Sequence, residues 1–307
     1  MRHQLVKRFK FEVYHRPFRQ ALHTSHGVWQ TRSGIVVTLI DPSGVSTQGE
    51  IAHLPWFGTE TLNQALEFCQ QLGTAITLKD IKAIPDYLPC CQFALESAWL
   101  NFANHDPSNQ SLNLDFCCLL PAGEAALTSW QTSYQNQNIT TFKWKIGVLP
   151  MAQEIELLKQ LDQVLPPTVQ LRLDANGGLN FAEAQQLLNL TDTLSRIEFV
   201  EQPLAVDEIA ALKQLSLTHC TPIALDESVA SFQRLQSIYN QGWSGIYVIK
   251  AAIMGFPRRL IQFCQQYSLE VVFSSVFETE VGRSAVLKMA QELGHPRALG
   301  FGTKLFL

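Results

Sequence analysis

The chain has 307 residues, 46% of them hydrophobic and 16% charged, with a formal net charge of −4. Such a length suits two domains, or one barrel with an attachment, and the apolar content supports a large core rather than a disordered chain. The weak negative balance supplies no broad basic field for nucleic acid or an anionic membrane surface, and no apolar run is long enough for a transmembrane helix, so neither partner is expected.

The opening stretch MRHQLVKRFKFEVYHRPF is basic but has no apolar h-region. Phe9, Phe11 and Val13 alternate with polar residues, which predicts a strand over 9–14 and not a signal peptide. Further strands are expected over 34–41 and 49–54, with turns at Gly44 and Gly49, and helices over 61–72 and 92–102. The first third therefore reads as α+β. Residues 104–111 (NHDPSNQS) are polar, carry a proline and read as a linker. The seven cysteines are odd in number, include the adjacent pairs Cys90-Cys91 and Cys117-Cys118, and show no CxxC spacing. They read as reduced core residues of an intracellular, cytoplasmic protein.

Beyond the linker, short apolar runs alternate with helical patterns. The runs are 116–120, 141–146, 169–174, 197–201, 222–226, 245–250 and 269–274, with a weak last one at 298–301. Continuous apolar runs joined by helices imply parallel strands buried on both faces. Seven or eight such units in this span favour a TIM-type barrel over an open sheet.

Charges interrupt these runs at their C-terminal ends: Lys143 and Lys145, then Asp174, Glu201, Asp226 and Lys250. From Lys145 the successive spacings are 29, 27, 25 and 24 residues, one β/α unit each. In a barrel these strand ends meet on one rim, where active sites are built. Three converging carboxylates repel unless a cation neutralises them, and all-oxygen ligation by Asp174, Glu201 and Asp226 suits Mg²⁺, with Mn²⁺ as a possible substitute. Lys143 and Lys145 lie two apart and share the inward face, with Trp144 facing the helices; Arg172 shares the face of Asp174. A lysine desolvated near the metal and other cations is expected to have a lowered pKa and to serve as a base near neutrality. The metal would bind a substrate carboxylate and stabilise the charge that develops when the α-proton leaves, so a small-molecule carboxylate substrate is expected.

Singly, an Asp at a strand end is usually a helix N-cap or a solvated charge, and a Lys is usually surface. The common register of the five raises them above that reading. Lys143 contacts substrate or only holds the carboxylates, and Arg172 is equally a counter-charge inside the barrel. Asp207, Glu208, Glu227 and Glu198 read as cap, rim or supporting carboxylates, and Glu227 points away from Asp226 if that strand continues. No histidine spacing suits a metal, and no GxGxxG or P-loop pattern occurs.

At Lys143-Trp144-Lys145, Asp174-Ala175-Asn176, Glu201-Gln202-Pro203, Asp226-Glu227-Ser228 and Lys250 the sequence resembles the muconate-lactonising subgroup of the enolase superfamily. Residues 24–39, 49–61 and 273–285 are most similar to the o-succinylbenzoate synthase family within it. The resemblance implies an α+β capping domain at 1–108 over a modified (β/α)7β barrel at 109–300, with the tail 301–307 returning to the cap. It also implies a Mg²⁺-dependent dehydration of 2-succinyl-6-hydroxy-2,4-cyclohexadiene-1-carboxylate (SHCHC) to 2-succinylbenzoate, in menaquinone or phylloquinone biosynthesis. Lys145 would abstract the α-proton and protonate the departing hydroxyl on the same face. Lys250 would stabilise the developing charge from the other side. Lys143, Arg172, Asn176, Ser274 and Ser275 are the candidate substrate contacts, with His26 in a candidate lid at 23–29. The alternatives are an N-acylamino acid racemase or dipeptide epimerase using the same lysines, and, more remotely, a non-catalytic binding protein. The sequence leaves the oligomeric state open.

Overall fold

A computed structural model describes residues 6–24, 27–101, 114–294 and 297–302. The N-terminal alternation forms an antiparallel sheet of β1 (Val6–Thr24), β2 (Gly27–Ile40), β3 (Ser46–Ile51) and β4 (Ala75–Thr77), in the order β3-β2-β1-β4. One face carries Ile35, Val37 and Leu39, at alternate positions and fully buried. Strand β1 runs well beyond the expected 9–14. It pairs with β2 as far as Pro17↔Thr31 and, after a register shift, again from Leu22↔Trp29 to Thr24↔Gly27. Cross-strand pairing thus sustains a stretch whose own alternation is weak.

Three helices cover this sheet. Thr61 and Gln64 form a capping box at the start of α1 (Leu62–Gln71), and Thr77 and Asp80 form another at α2 (Leu78–Lys82). Helix α3 (Pro89–Trp99) starts three residues before the expected position because Pro89 sits in its first turn. A Cβ on Gly49 of β3 would stand 2.0 Å from the Ala94 carbonyl oxygen of α3, so this close crossing requires glycine. The brief β4 and α2 carry too few residues for a periodic signal.

The second sheet is parallel and follows chain order: β5 (Cys117–Leu120), β6 (Thr141–Lys145), β7 (Gln170–Asp174), β8 (Ile197–Glu201), β9 (Ile223–Leu225), β10 (Ile246–Ile249) and β11 (Val271–Phe273). The helices between and after them are α4 (Ala126–Gln137), α5 (Met151–Val164), α6 (Phe181–Thr191), α7 (Ile209–Thr218), α8 (Phe232–Asn240), α9 (Pro257–Gln266) and α10 (Glu280–Leu293). The weak last run closes the ring. Leu299 bridges Phe116 and Gly300 bridges Ser274, both in parallel. Backbone bonds run from Cys117 N to Leu299 O (2.8 Å) on one side and from Gly300 N to Phe273 O (2.8 Å) on the other. The architecture is a (β/α)7β barrel of TIM type.

Ion pairs fasten this seam. Arg297, just before the closing segment, pairs with Glu270 ahead of β11 and with Glu198 of β8 (2.7 Å), which also holds Arg172 of β7 (2.7 Å). The cysteines are free; Cys69, Cys90, Cys91, Cys117 and Cys264 are buried as expected, but Cys118 is half-buried and Cys220 is exposed in the loop before β9. The expected linker 104–111 lies outside the described residues. Of the expected tail, Phe301 and Gly302 stay with the barrel, where a Cβ on Gly302 would meet the Cys117 carbonyl, and 303–307 lie outside the described residues. Among the described residues no helix is long and apolar enough to cross a membrane.

Candidate active site

The strand register carries the charged residues to one rim. Lys145 of β6 is the Cα partner of Asp174 of β7, and Asp174 is the partner of Glu201 of β8. Neighbours in register across parallel strands point to the same face. Asp226 and Lys250 directly follow β9 and β10, so all five sit at the C-terminal end.

Their side chains interlock. The Lys143 ammonium lies 2.8 Å from Asp174 Oδ2 and 2.9 Å from Glu201 Oε1, and the Lys250 ammonium is paired with Asp226. Burial alone would depress the Lys143 ammonium, but Asp174, Glu201 and Asp226 outweigh it and hold it well above its ordinary value. The same competition, led by Asp226 and Glu227, raises Lys250. The expected lowering is that of a lysine beside a bound metal; here the carboxylates are the nearest charges to both ammoniums and raise them. Burial and the Asp174 charge push the Glu201 carboxyl up to about 8, while the Lys143 ammonium, against burial, keeps Asp174 below its usual range.

Lys145 differs from its neighbours. Its side chain is exposed, and among the described residues it has no hydrogen-bond or ion-pair partner.

Glu227 corrects the extended-strand expectation. The chain leaves β9 and turns into a 3-10 helix at Glu227–Val229, which swings Glu227 back beside Asp226. Burial and the Asp226 charge push its carboxyl up to about 7, and its Oε1 accepts a 3.0 Å bond from Asn176 Nδ2. Asn176, with φ of 45°, also donates its backbone N–H to Asp174 Oδ1 (3.1 Å). Asn176 therefore touches two rim carboxylates.

Other expected substrate contacts are engaged elsewhere. Arg172 is 2% exposed, paired with Glu198 and stacked 4.8 Å from the Phe199 ring centroid. It shares the inward face but serves as the counter-charge inside the barrel. Ser275 is buried, donating to Glu278 Oε2 (2.7 Å) and accepting from Phe277 N (2.9 Å). Ser274 is half-buried at the seam, with its N–H bonded to Ile249 O (2.9 Å). His26 lies outside the described residues.

Motif reading named Gln202 and Ser228 without giving either a role in supporting the site. Gln202, fully buried with φ of 38°, accepts from Asp226 N and Ser228 N (both 3.1 Å) and donates to Ser228 Oγ (2.8 Å). It ties the end of β8 to the turn that carries Asp226. From the N-terminal domain, Phe57 sets its ring 4.6 Å from the Lys250 ammonium, in cation–π range. Next to it, Phe18, Trp29, Trp56 and Phe277 form edge-to-face pairs between the cap and the loop after β11. These contacts join residues distant in sequence, so no local pattern announces them.

Among the described residues no three Asp, Glu, His or Cys side chains converge as a ligand set. The ammoniums account for this: Lys143 stands between Asp174 and Glu201, and Lys250 holds Asp226. The donor chemistry nevertheless suits a hard divalent cation. Every candidate ligand is a carboxylate, and Glu201 is held toward its neutral form by burial and by its acidic neighbours even with Lys143 beside it.

Residues 125–300 match the Enolase C-terminal domain-like family. The chain is 40% identical over 300 residues to o-succinylbenzoate synthase of Thermosynechococcus vestitus, covering 96% of this chain and 92% of that protein. The chain belongs to the o-succinylbenzoate synthase family of the enolase superfamily. A crystal structure of the Thermosynechococcus elongatus synthase, complexed with Mg in its active site, superposes with a TM-score of 0.91 at 39% identity, over 97% of this chain and 94% of that one. The L-Ala-D/L-Glu epimerase of Bacillus subtilis shares the fold, with a TM-score of 0.79 at 20% identity, over 98% of this chain and 91% of that one. Membership in this family makes the chain an enzyme of lyase type.

Proposed function

We propose that this chain dehydrates SHCHC to 2-succinylbenzoate with Mg²⁺ at the barrel rim. The observation that carries the proposal is the single-rim array of Lys145, Asp174, Glu201, Asp226 and Lys250 in a chain 40% identical to a named synthase over 96% of its length. Asp174, Glu201 and Asp226 would hold the cation, which would share with the two ammoniums the neutralising of these carboxylates. When bound it supplies Lewis-acid stabilisation of charge developing on the substrate carboxylate; Mn²⁺ offers the same oxygen-preferring chemistry.

The chain's own residues do the proton chemistry. Lys145 Nζ, as the neutral amine, takes the proton α to the substrate carboxylate. The ammonium so formed is on the face from which the hydroxyl departs, and it returns that proton to the leaving oxygen, so the products are 2-succinylbenzoate and water. Lys250, cationic and steadied by Asp226 and the Phe57 ring, faces the developing negative charge from the other side. Lys143 stays protonated between Asp174 and Glu201, which suits it for holding charge rather than accepting a proton. The cytoplasm is the proposed compartment.

Comparing Lys145→Ala with wild type on SHCHC and Mg²⁺ tests this reading. Loss of about 10²–10⁴ in kcat is expected for removal of a general base. Retention of wild-type turnover would overturn it. The lysine pair also suits a racemase of N-succinyl amino acids. The expected SHCHC preference is read as the ratio of kcat/KM values, and a ratio favouring racemisation would move the assignment.

A further inference from the structure

We propose that Glu154 is a positioning residue for Lys145, acting through the backbone of the loop that leaves β6. This inference rests on the reading of Lys145 as the base.

Lys143 is located by two carboxylates and Lys250 by Asp226 and a ring, whereas among the described residues the Lys145 side chain has no such partner. Its reach and direction are therefore set by the backbone at the end of β6. Inside the sheet, that backbone is registered against Asp174, and the following residue, Ile146, bonds to Asp174 O (2.9 Å). Immediately afterwards the chain turns at Gly147, with φ of 77°.

Glu154 occupies the turn. It is 2% exposed, and its carboxylate reaches back from the first turn of α5. Oε2 accepts from Gly147 N (2.7 Å), and Oε1 accepts from Val148 N (2.9 Å) and Leu149 N (3.0 Å). Three successive N–H groups thus converge on one buried anion, with charge-assisted bonds stronger than neutral ones. Pro150, the N-cap of α5, makes no side-chain cap bond, so Glu154 also serves the helix start. The loop so clamped is otherwise exposed from Gly147 to Pro150. Glutamine keeps the shape but turns an N–H₂ toward one of the donors, leaving it unpaired.

The consequence is kinetic. A base displaced by a fraction of an ångström loses near-attack geometry without losing substrate binding. Glu154→Gln is expected to lower kcat on SHCHC about tenfold, with KM changed less than about twofold. Proton abstraction then limits the rate more strongly, so the primary isotope effect on substrate deuterated at the abstracted position should rise. Gly147→Ala strains the same turn from the backbone and should give the same pattern. A purely structural role for Glu154 would lower the folded fraction or the Tm and leave the isotope effect of the surviving enzyme unaltered. Wild-type kcat in Glu154→Gln, or a reduced kcat with an unchanged isotope effect, would overturn the proposal. If Lys145→Ala keeps full activity, the base assignment itself falls, and the two failures are separately visible.

Discussion

Lys143 and Lys145 are separated by one residue on β6, yet their surroundings divide their tasks. Lys143 sits between two carboxylates and is pinned as an ammonium; Lys145 has an exposed side chain at the rim. Replacing Lys143 with Met should leave Asp174 and Glu201 without their ammonium, so that each repels the other. The apparent affinity for Mg²⁺ should then change, read by calorimetry, while Lys145→Ala should leave it nearly untouched and lower kcat by about 10²–10⁴. At this scale the charged positions were legible because each β/α unit is of similar length and each charge ends an apolar run. Arg172 was ambiguous because strand parity gives the face but not the depth, and at its depth Glu198 is the nearer partner. For Glu227 the parity argument held only if the strand continued, and the chain coils after Leu225.

Two elements decide whether the rim is assembled: the thin closing segment and the cap. Arg297 binds the segment to Glu198 and Glu270, and its removal would leave the Glu198 charge with Arg172 alone. Arg297→Ala should destabilise the fold by about 2 kcal/mol, seen as a lower urea midpoint. The cap grips the loop after β11 through Arg32, which donates to Phe277 O (3.1 Å) and His53 O (2.8 Å), and through Glu50, which accepts from Thr279 N and Gly282 N (both 2.9 Å). Phe277 is held there at φ of 60°, a conformation that such contacts must enforce. Beside Arg32, burial pushes His53 down to about 4. The folded protein therefore keeps His53 neutral while the unfolded chain takes up a proton near 6.5, so stability is full above about pH 6.5 and falls as pH drops towards 4. His53→Gln should flatten that part of the pH dependence in urea titrations at pH 7 and pH 5. The barrel strands were readable from sequence because burial on both faces makes them uniformly apolar. The cap's clamp was not, since it joins residues 229 positions apart, such as Glu50 and Thr279.

Across the whole molecule, an α+β cap and a parallel barrel meet over one cluster in which carboxylates are drawn together by strand geometry. Such a cluster stores electrostatic repulsion that a divalent cation relieves, so Mg²⁺ should stabilise the folded state. At a hundredfold excess over its Kd the gain is about 2.7 kcal/mol, visible as a rise in Tm that EDTA reverses. The alternation of strand and helix made the barrel legible from sequence, and the shift to α+β patterning made the cap legible. The closing run at 298–301 was legible only as a weak one, because Leu299 and Gly300 contribute only one bridge each to their neighbours. The most direct measurement is turnover of SHCHC by the purified chain, followed by absorbance of the aromatic product, in Mg²⁺ and again after EDTA. Rapid product formation in Mg²⁺, abolished by EDTA and restored by added Mg²⁺, is the result this account predicts. Equal turnover in EDTA, or none in Mg²⁺ by a folded and metal-binding protein, would contradict it.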